Sequence, residues 1–479
     1  MYHFDNLIDG VWQQGEAGEF STYDPSDTSR QIATYSKCSE SQLNTACQAA
    51  VKAQKTWWRM THTERLSVLK QYLTRLEENR ENLTKAASLE QGKIHPESNG
   101  ELTKALNEAR AMLRESYQVQ TQPMSAQKPS TINTIMRRPR GVIAAITPWN
   151  FPILTPMRKI IPALVFGNAM ILKPAEVTPA VACLLVDAGV GIFPDGLLQL
   201  VNGEGRGIGE ALITHKAVTG VTFTGSVDVG KRIMQLASQN LTEVSLELGG
   251  KNAVIINDTD NLDDCLNQVV GAAYACSGQR CTAISRILVA PSLYSPVIEG
   301  LKVRLNKVVI GNGFVPETTM GPLSTVNQRH KVLSMVEEAK KQGARVVAQG
   351  PALTPAQQEQ GYFVSPVVLE VDETMDIAGS EVFGPVITLQ KYDDFEHALT
   401  ILNNVSYGLT SALFSNDNRL VQRFIMESES GMLHINHGTV PDDHMPFGGI
   451  KDSGVGAYSV GASAANFYTT EHAVYNKFQ

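Results

Sequence analysis

From residue 141 onward, short apolar runs alternate with stretches of helical length, and this alternation constrains the fold more than any other feature. Gly141 to Ile146 reads as a buried strand, as do Asn168 to Leu172, Gln199 to Val201 and Val221 to Phe223. Parallel strands need a crossover between them, and a helix supplies it. The pattern therefore predicts a parallel sheet covered on both faces. A second strand–helix series starts near Asn252 to Ile256 and runs to about residue 445. The Gly249-Gly250 pair between the two series is the expected domain boundary. With 479 residues, two or three domains of about 100–200 residues each are expected.

The rest of the chain reads differently. Residues 1–35 suggest short strands with turns at Asp9-Gly10 and Asp24-Pro25. From Ser39 to about residue 118 the pattern is helical. Ser39 with Gln42, and Thr61 with Glu64, have capping-box spacing, and Leu66, Leu69, Leu73 and Leu76 form one apolar stripe. Residues 119–138 are rich in Gln, Ser, Thr and Pro, as in an exposed arm. The tail from about residue 464 is expected to be strand-like, through Phe467, Tyr468, Val474 and Tyr475.

The formal net charge of −7 argues against nucleic acid or an anionic membrane as partner, because both need a concentrated basic patch. The densest cluster, Arg137, Arg138 and Arg140, is short. No apolar run approaches the ~18–20 residues of a membrane span. Met1 to Asp5 lacks the basic and apolar regions of a signal peptide. The six cysteines include no Cys-x-x-Cys pair, so free thiols in a reducing cytoplasm are expected.

Parallel sheets bind ligands beyond the carboxyl ends of their strands. Three polar segments fall there: Pro148-Trp149-Asn150, Lys173-Pro174-Ala175-Glu176 and Thr224-Gly225-Ser226. Gly225 to Lys231 nearly matches a P-loop, but Arg232 stands where the Mg²⁺-holding hydroxyl belongs, which disfavours a phosphotransferase. A strand–glycine–helix turn still suits a dinucleotide pyrophosphate; a plain tight turn is the alternative. The glycines from Gly203 to Gly209 are out of register for a dinucleotide fingerprint and read as a surface loop. Cys281 sits in a polar turn beside Arg280, whose charge is expected to raise the thiolate fraction. Glu247, between two leucines and before two glycines, reads as a partly buried carboxylate whose pKa is raised toward that of a useful base, or as a salt-bridged strand end. His434, His437 and His444 lack metal-ligand spacing, and no metal site is expected.

Two further segments, Glu381-Val382-Phe383-Gly384-Pro385 and Pro446-Phe447-Gly448-Gly449, complete a series. With Pro148 to Pro152, Lys173 to Glu176, Phe223 to Ser226, Leu246 to Lys251 and Gly278 to Cys281, they resemble the aldehyde dehydrogenase superfamily, in its order and over essentially the whole chain. The resemblance implies an α/β chain with two Rossmann-like parallel-sheet domains. Residues 1–118 and 139–248 would bind NAD, and residues 249–445 would form the catalytic domain. Residues 119–138 and 464–479 would make a small β arm whose edge strands pair with a neighbouring subunit, giving a homodimer or homotetramer.

The resemblance also implies roles. Cys281 would attack the aldehyde, and the Asn150 amide with the Cys281 N–H would hold the oxyanion. Glu247 would activate the water that hydrolyses the thioester. Lys173 and Glu176 would contact the adenosine ribose, Ser226 the pyrophosphate and Glu381 the nicotinamide ribose. Trp149, Gly225 and Phe383 belong to the same cofactor motifs. Glu176 favours NAD over NADP, since a carboxylate repels a 2′-phosphate. Phe151, Leu154, Arg158 and Arg280 would line the substrate funnel. Arg158 points to a small polar or anionic aldehyde such as succinate semialdehyde or lactaldehyde, because a guanidinium binds a carboxylate bidentately. The alternatives are Arg158 paired with a surface carboxylate, a broad aliphatic or aromatic range, and a catalytically silent homologue. Two positions depart from the family pattern: Cys276 replaces a frequent Asn, which leaves redox cross-talk with Cys281 open, and Ala275 replaces the second arginine of succinate-semialdehyde members.

Overall fold

The computed structural model describes residues 2–118 and 121–478. Residues 119 and 120 of the expected arm, residue 479 of the tail and residue 1 lie outside the described residues.

Five apolar runs form the parallel heart of the first sheet, in the order Glu243–Glu247, Val218–Thr224, Val142–Ile146, Ala169–Lys173, Leu198–Leu200. Ile143, Ala144, Met170 and Ile171 at its centre are wholly buried, as strands covered on both faces must be. The antiparallel strands Asn6–Ile8 and Val11–Gln13 extend one edge, and Gly454–Val455 caps the other. The helices Glu40–Arg59, His62–Glu78, Arg80–Gln91 and His95–Glu115 precede its parallel strands in the chain. Both expected capping boxes are formed, at Ser39 with Gln42 and at Thr61 with Glu64. The stripe Leu66, Leu69, Leu73 and Leu76 joins the first sheet's core, where it removes its apolar area from water.

The second sheet runs Arg345–Gln349, Val367–Glu370, Val386–Lys391, Arg286–Val289, Ala253–Ile256, Thr410–Phe414, Met432–Ile435, parallel except for its first strand. The Gly249-Gly250 pair lies between the last parallel strand of the first sheet and the opening strand of the second. The five runs read as strands in the sequence are all strands, so the α/β class and its parallel sheets stand as expected.

The arm differs in detail. Gln122–Met124 and Thr131–Pro139 are strands, and Thr469–Lys477 pairs antiparallel with the latter over its whole length. Arm and tail thus pair with each other within one chain. The tail is not strand-like from residue 464: Ala464–Tyr468 is a short helix, and Phe467 and Tyr468 are buried in the first core. Their apolar character comes from core packing, and strand alternation starts only at Thr469.

Candidate active site

The strand Val142–Ile146 ends just before the turn that carries Trp149, Asn150 and Phe151, and the helix Leu154–Val165 follows. The Asn150 side chain is buried, and its Nδ2 donates to the Gln279 carbonyl at 2.9 Å. This contact ties the first sheet's turn to the loop that leads to Cys281.

That loop connects the helix Leu262–Tyr274 to the strand Arg286–Val289. Its backbone is left-handed at three successive residues, Cys276 (φ 53°), Ser277 (φ 56°) and Gly278 (φ 72°). Such conformations persist only where the surroundings enforce them. At residue 278 glycine is required, because a Cβ would stand 2.2 Å from the Gly384 carbonyl oxygen. Asn252 Nδ2 fixes the Cys281 turn by donating to the carbonyls of Cys281 at 2.7 Å and Ala283 at 2.9 Å. Thr439 Oγ1 donates to the Thr282 carbonyl at 2.7 Å. Among the described residues, nothing accepts the Cys281 backbone N–H.

Burial pushes the Cys281 thiol up to about 11, the Glu247 carboxylate adds to the rise, and Arg158 and Arg280 pull it back only in part. The Arg280 charge pulls in the expected direction, but burial outweighs it. Desolvation disfavours the charged form more than two partly engaged guanidiniums favour it.

Glu247 ends its strand in the same cavity, of about 410 Å³. Its Oε2 accepts from Thr224 Oγ1 at 2.9 Å, while the buried Oε1 has no partner among the described residues. One carboxylate oxygen is therefore anchored and the other is free to take a proton.

The cofactor candidates lie on two sides. Thr224, Gly225 and Ser226 face the cavity, and Ser226 precedes the helix Val227–Ala237 without capping it by its side chain. That helix N-terminus keeps N–H donors for an anion. Lys231, the near-P-loop lysine, turns to Asp452 at 3.2 Å. Glu381 also lines the cavity; it is half-buried and accepts the Gly250 N–H at 2.9 Å. Gly249 packs so close that a Cβ would stand 2.3 Å from the Glu381 carboxylate. Phe383 meets Trp149 edge-on at 5.5 Å between ring centroids, and Gln328 Nε2 holds its carbonyl at 2.8 Å. Lys173 Nζ, almost fully buried, lies 3.2 Å from Glu176, which also accepts the Gly205 N–H at 2.8 Å. Thr224, Gly225, Ser226 and Glu381 line the cavity and Lys173 and Glu176 do not; a buried cation beside a carboxylate, an open helix N-terminus and a second carboxylate are groups of the kind that fit the ribose, pyrophosphate and ribose of a dinucleotide.

Phe151, Leu154, Arg158 and Arg280 all line the cavity. Arg158, however, is buried and closes its fork on Glu108, with Nε and Nη2 each 2.7 Å from a carboxylate oxygen. It also lies 4.1 Å over the Phe447 ring. The partner is a buried carboxylate, not a surface one, and the bidentate grip expected for a substrate is used within the protein. Arg280 donates to Thr282 Oγ1 at 3.3 Å and has no ion pair among the described residues.

His434 and His437 stack, and burial pushes His434 down to about 4; no metal-holding cluster occurs among the described residues. Lys93, Glu97, Glu101, Glu108 and Asn252 escaped the sequence reading. The spacing of Glu97, Glu101 and Glu108 along one helix was a signal, since it places charges on one face that must meet partners if buried.

The family model described as "Aldehyde dehydrogenase family" matches residues 12–474. The chain belongs to the aldehyde dehydrogenase family. It is 33% identical over 480 residues to the alpha-ketoglutaric semialdehyde dehydrogenase of Bacillus subtilis strain 168, covering 98% of each chain. It superposes on betaine aldehyde dehydrogenase from Staphylococcus aureus in complex with NAD⁺ with a TM-score of 0.95, at 31% identity, covering 99% of this chain and 95% of that one. A 3,6-anhydro-L-galactose dehydrogenase in complex with NADP gives a TM-score of 0.95 at 27% identity, covering 99% of both chains. This dehydrogenase is an aldehyde-oxidising oxidoreductase that uses a pyridine nucleotide. No described helix is long and apolar enough to cross a membrane.

Proposed function

We propose that this enzyme oxidises a small anionic aldehyde of the semialdehyde class to its carboxylate, with Cys281 as nucleophile, Asn150 as oxyanion donor and Glu247 as base. The observation that carries this reading is the convergence of all three on one cavity whose wall also presents Arg280 without an ion-pair partner. The B. subtilis relative acts on such a substrate by its name. Arg280 takes the leading part in binding the substrate carboxylate, and Arg158 contributes through Nη1, the group of its fork that Glu108 leaves open.

Cys281 rests as a thiol and loses its proton as it attacks the carbonyl carbon. The free Oε1 of Glu247 is the available base. The new C–O⁻ is held by Asn150 Nδ2, which leaves the Gln279 carbonyl to do so, and by the Cys281 N–H. The bound nicotinamide supplies the acceptor for the substrate's hydride. Cys281 then carries a thioester; Glu247, having released the thiol proton to solvent, takes a proton from water, the hydroxide adds to the acyl carbon, the C–S bond breaks and the departing thiolate regains a proton from Glu247.

NAD is favoured over NADP by Glu176, which stands beside the Lys173 ammonium where a 2′-phosphate would meet its charge. The first sheet serves as cofactor domain and the second as catalytic domain. The arm sheet leaves Ile132 and Tyr475 exposed, which supports a homodimer or homotetramer built through it. The cysteines are all free, which supports a cytoplasmic location. The test is formation of reduced cofactor from succinate semialdehyde, alpha-ketoglutarate semialdehyde, lactaldehyde, acetaldehyde and benzaldehyde, with NAD⁺ or NADP⁺. Highest kcat/KM on a semialdehyde with NAD⁺, lost in Cys281→Ser, is expected; a preference for benzaldehyde overturns the substrate class.

A further inference from the structure

On the helix His95–Glu115, Glu97 and Glu101 line the cavity, and Lys93 just before it pairs with Glu101, yet no step of the reaction uses the three. Lys93 Nζ has no exposed surface; it donates to Glu101 Oε2 at 2.7 Å and to the Asn150 backbone carbonyl at 2.8 Å. The other oxygen of Glu101 accepts the N–H groups of Ile153 at 2.7 Å and Leu154 at 2.9 Å. The pair therefore grips both ends of the turn that carries Asn150. One helical turn earlier, Glu97 accepts the Cys276 N–H at 2.8 Å, on the loop that carries Cys281. Residues four apart lie on one helix face, so a single face holds both loops.

A fully buried ion pair is a weak source of stability. Desolvation costs several kcal/mol per ion, and a well-packed apolar pair of similar volume does as well or better. What the pair provides is geometry, because each charge is satisfied only when both backbone segments stand in place. We propose that Lys93, Glu97 and Glu101 are positioning residues that keep the oxyanion donor Asn150 and the nucleophile Cys281 in register. The proposal rests on the roles given to those two residues under the proposed function. Lys93 ties the Asn150 backbone carbonyl and so fixes the point from which the side-chain amide reaches the Gln279 carbonyl on the cysteine loop. Glu97 restrains the left-handed start of the cysteine loop.

The test is a double-mutant cycle in kcat. Lys93→Met, Glu101→Gln and the double substitution Lys93→Met/Glu101→Gln are each made in the native enzyme and in Asn150→Ala. Lys93→Met is expected to lower kcat about 10–100-fold, the cost of misplacing a reacting group by about 1 Å, with the cofactor KM within about twofold. In Asn150→Ala the same change should cost less than about twofold, because the group it positions is gone. Equal losses in both backgrounds would overturn the proposal, since a general loosening of the fold does not depend on Asn150. Where Lys93→Met fails to fold, the double substitution decides, because it leaves no unpaired buried charge. Glu97→Ala supplies an arm free of that difficulty. It should lower kcat about tenfold at an unchanged melting temperature, and an unchanged kcat overturns the proposal. If Cys281→Ser retains turnover, the nucleophile assignment has failed instead.

Discussion

Glu108→Gln probes the one substrate-binding expectation that the structure revised. The Arg158–Glu108 pair is buried on both sides, with two contacts of 2.7 Å. For charge centres about 4 Å apart in a medium of effective dielectric about 20, the attraction is about 4 kcal/mol. Breaking buried pairs from one side costs about 3–5 kcal/mol, which agrees. The glutamine keeps one acceptor, worth about 1 kcal/mol, so a net loss of about 3 kcal/mol is expected. Lys104, 3.3 Å from Glu108, loses a partner as well but keeps Asp443 at 2.9 Å. The urea midpoint should fall accordingly. The freed guanidinium should meanwhile bind the substrate carboxylate, so KM for succinate semialdehyde should fall about tenfold relative to acetaldehyde. A midpoint shift equivalent to less than about 1 kcal/mol would refute the burial argument. An unchanged ratio of KM values would refute the view that Glu108 withholds the Nε–Nη2 edge of Arg158 from the substrate.

Further outcomes follow from the same contacts. Because burial and Glu247 push Cys281 up to about 11, iodoacetamide inactivation of the free enzyme should keep rising through about pH 9, near tenfold per unit; a plateau below about pH 8 contradicts the resting thiol. Glu176→Ala should raise KM for NAD⁺ and shift the ratio of kcat/KM toward NADP⁺ by about tenfold, measured from paired initial rates; an unchanged ratio removes the charge argument. Burial lifts Glu90 to about 7, above its ordinary 4.5, so the folded chain holds that proton more tightly than the unfolded one. Its contribution to stability is full below about pH 4.5 and is lost as pH rises to about 7. The difference in melting temperature between the native enzyme and Glu90→Gln should change across that window, and a constant difference would count against it.

The α/β class, four of the five parallel strands of the first sheet and the strand Ala253–Ile256 of the second were legible in the sequence because burial on both faces forces continuous apolar runs. The capping boxes at Ser39 and Thr61 were legible because they depend on residues three apart. Cys281, Glu247 and Asn150 could be named since each follows a strand or sits in a short, chemically unusual motif, and all three meet in the cavity. The tail was misread at Phe467 and Tyr468, where core packing and strand alternation give the same local signal.

What only the tertiary structure decided is which charges meet. Glu97, Glu101 and Glu108 look alike on one helix, yet one holds a backbone N–H, one a buried lysine and one the arginine that the substrate reading relied on. Arg280 lowers the Cys281 thiol, a local effect, and the burial that the whole fold imposes outweighs it. Local chemistry is written in residues a few positions apart. Desolvation and ion pairing depend on groups brought together from distant parts of the chain, so they exist only once the chain has folded.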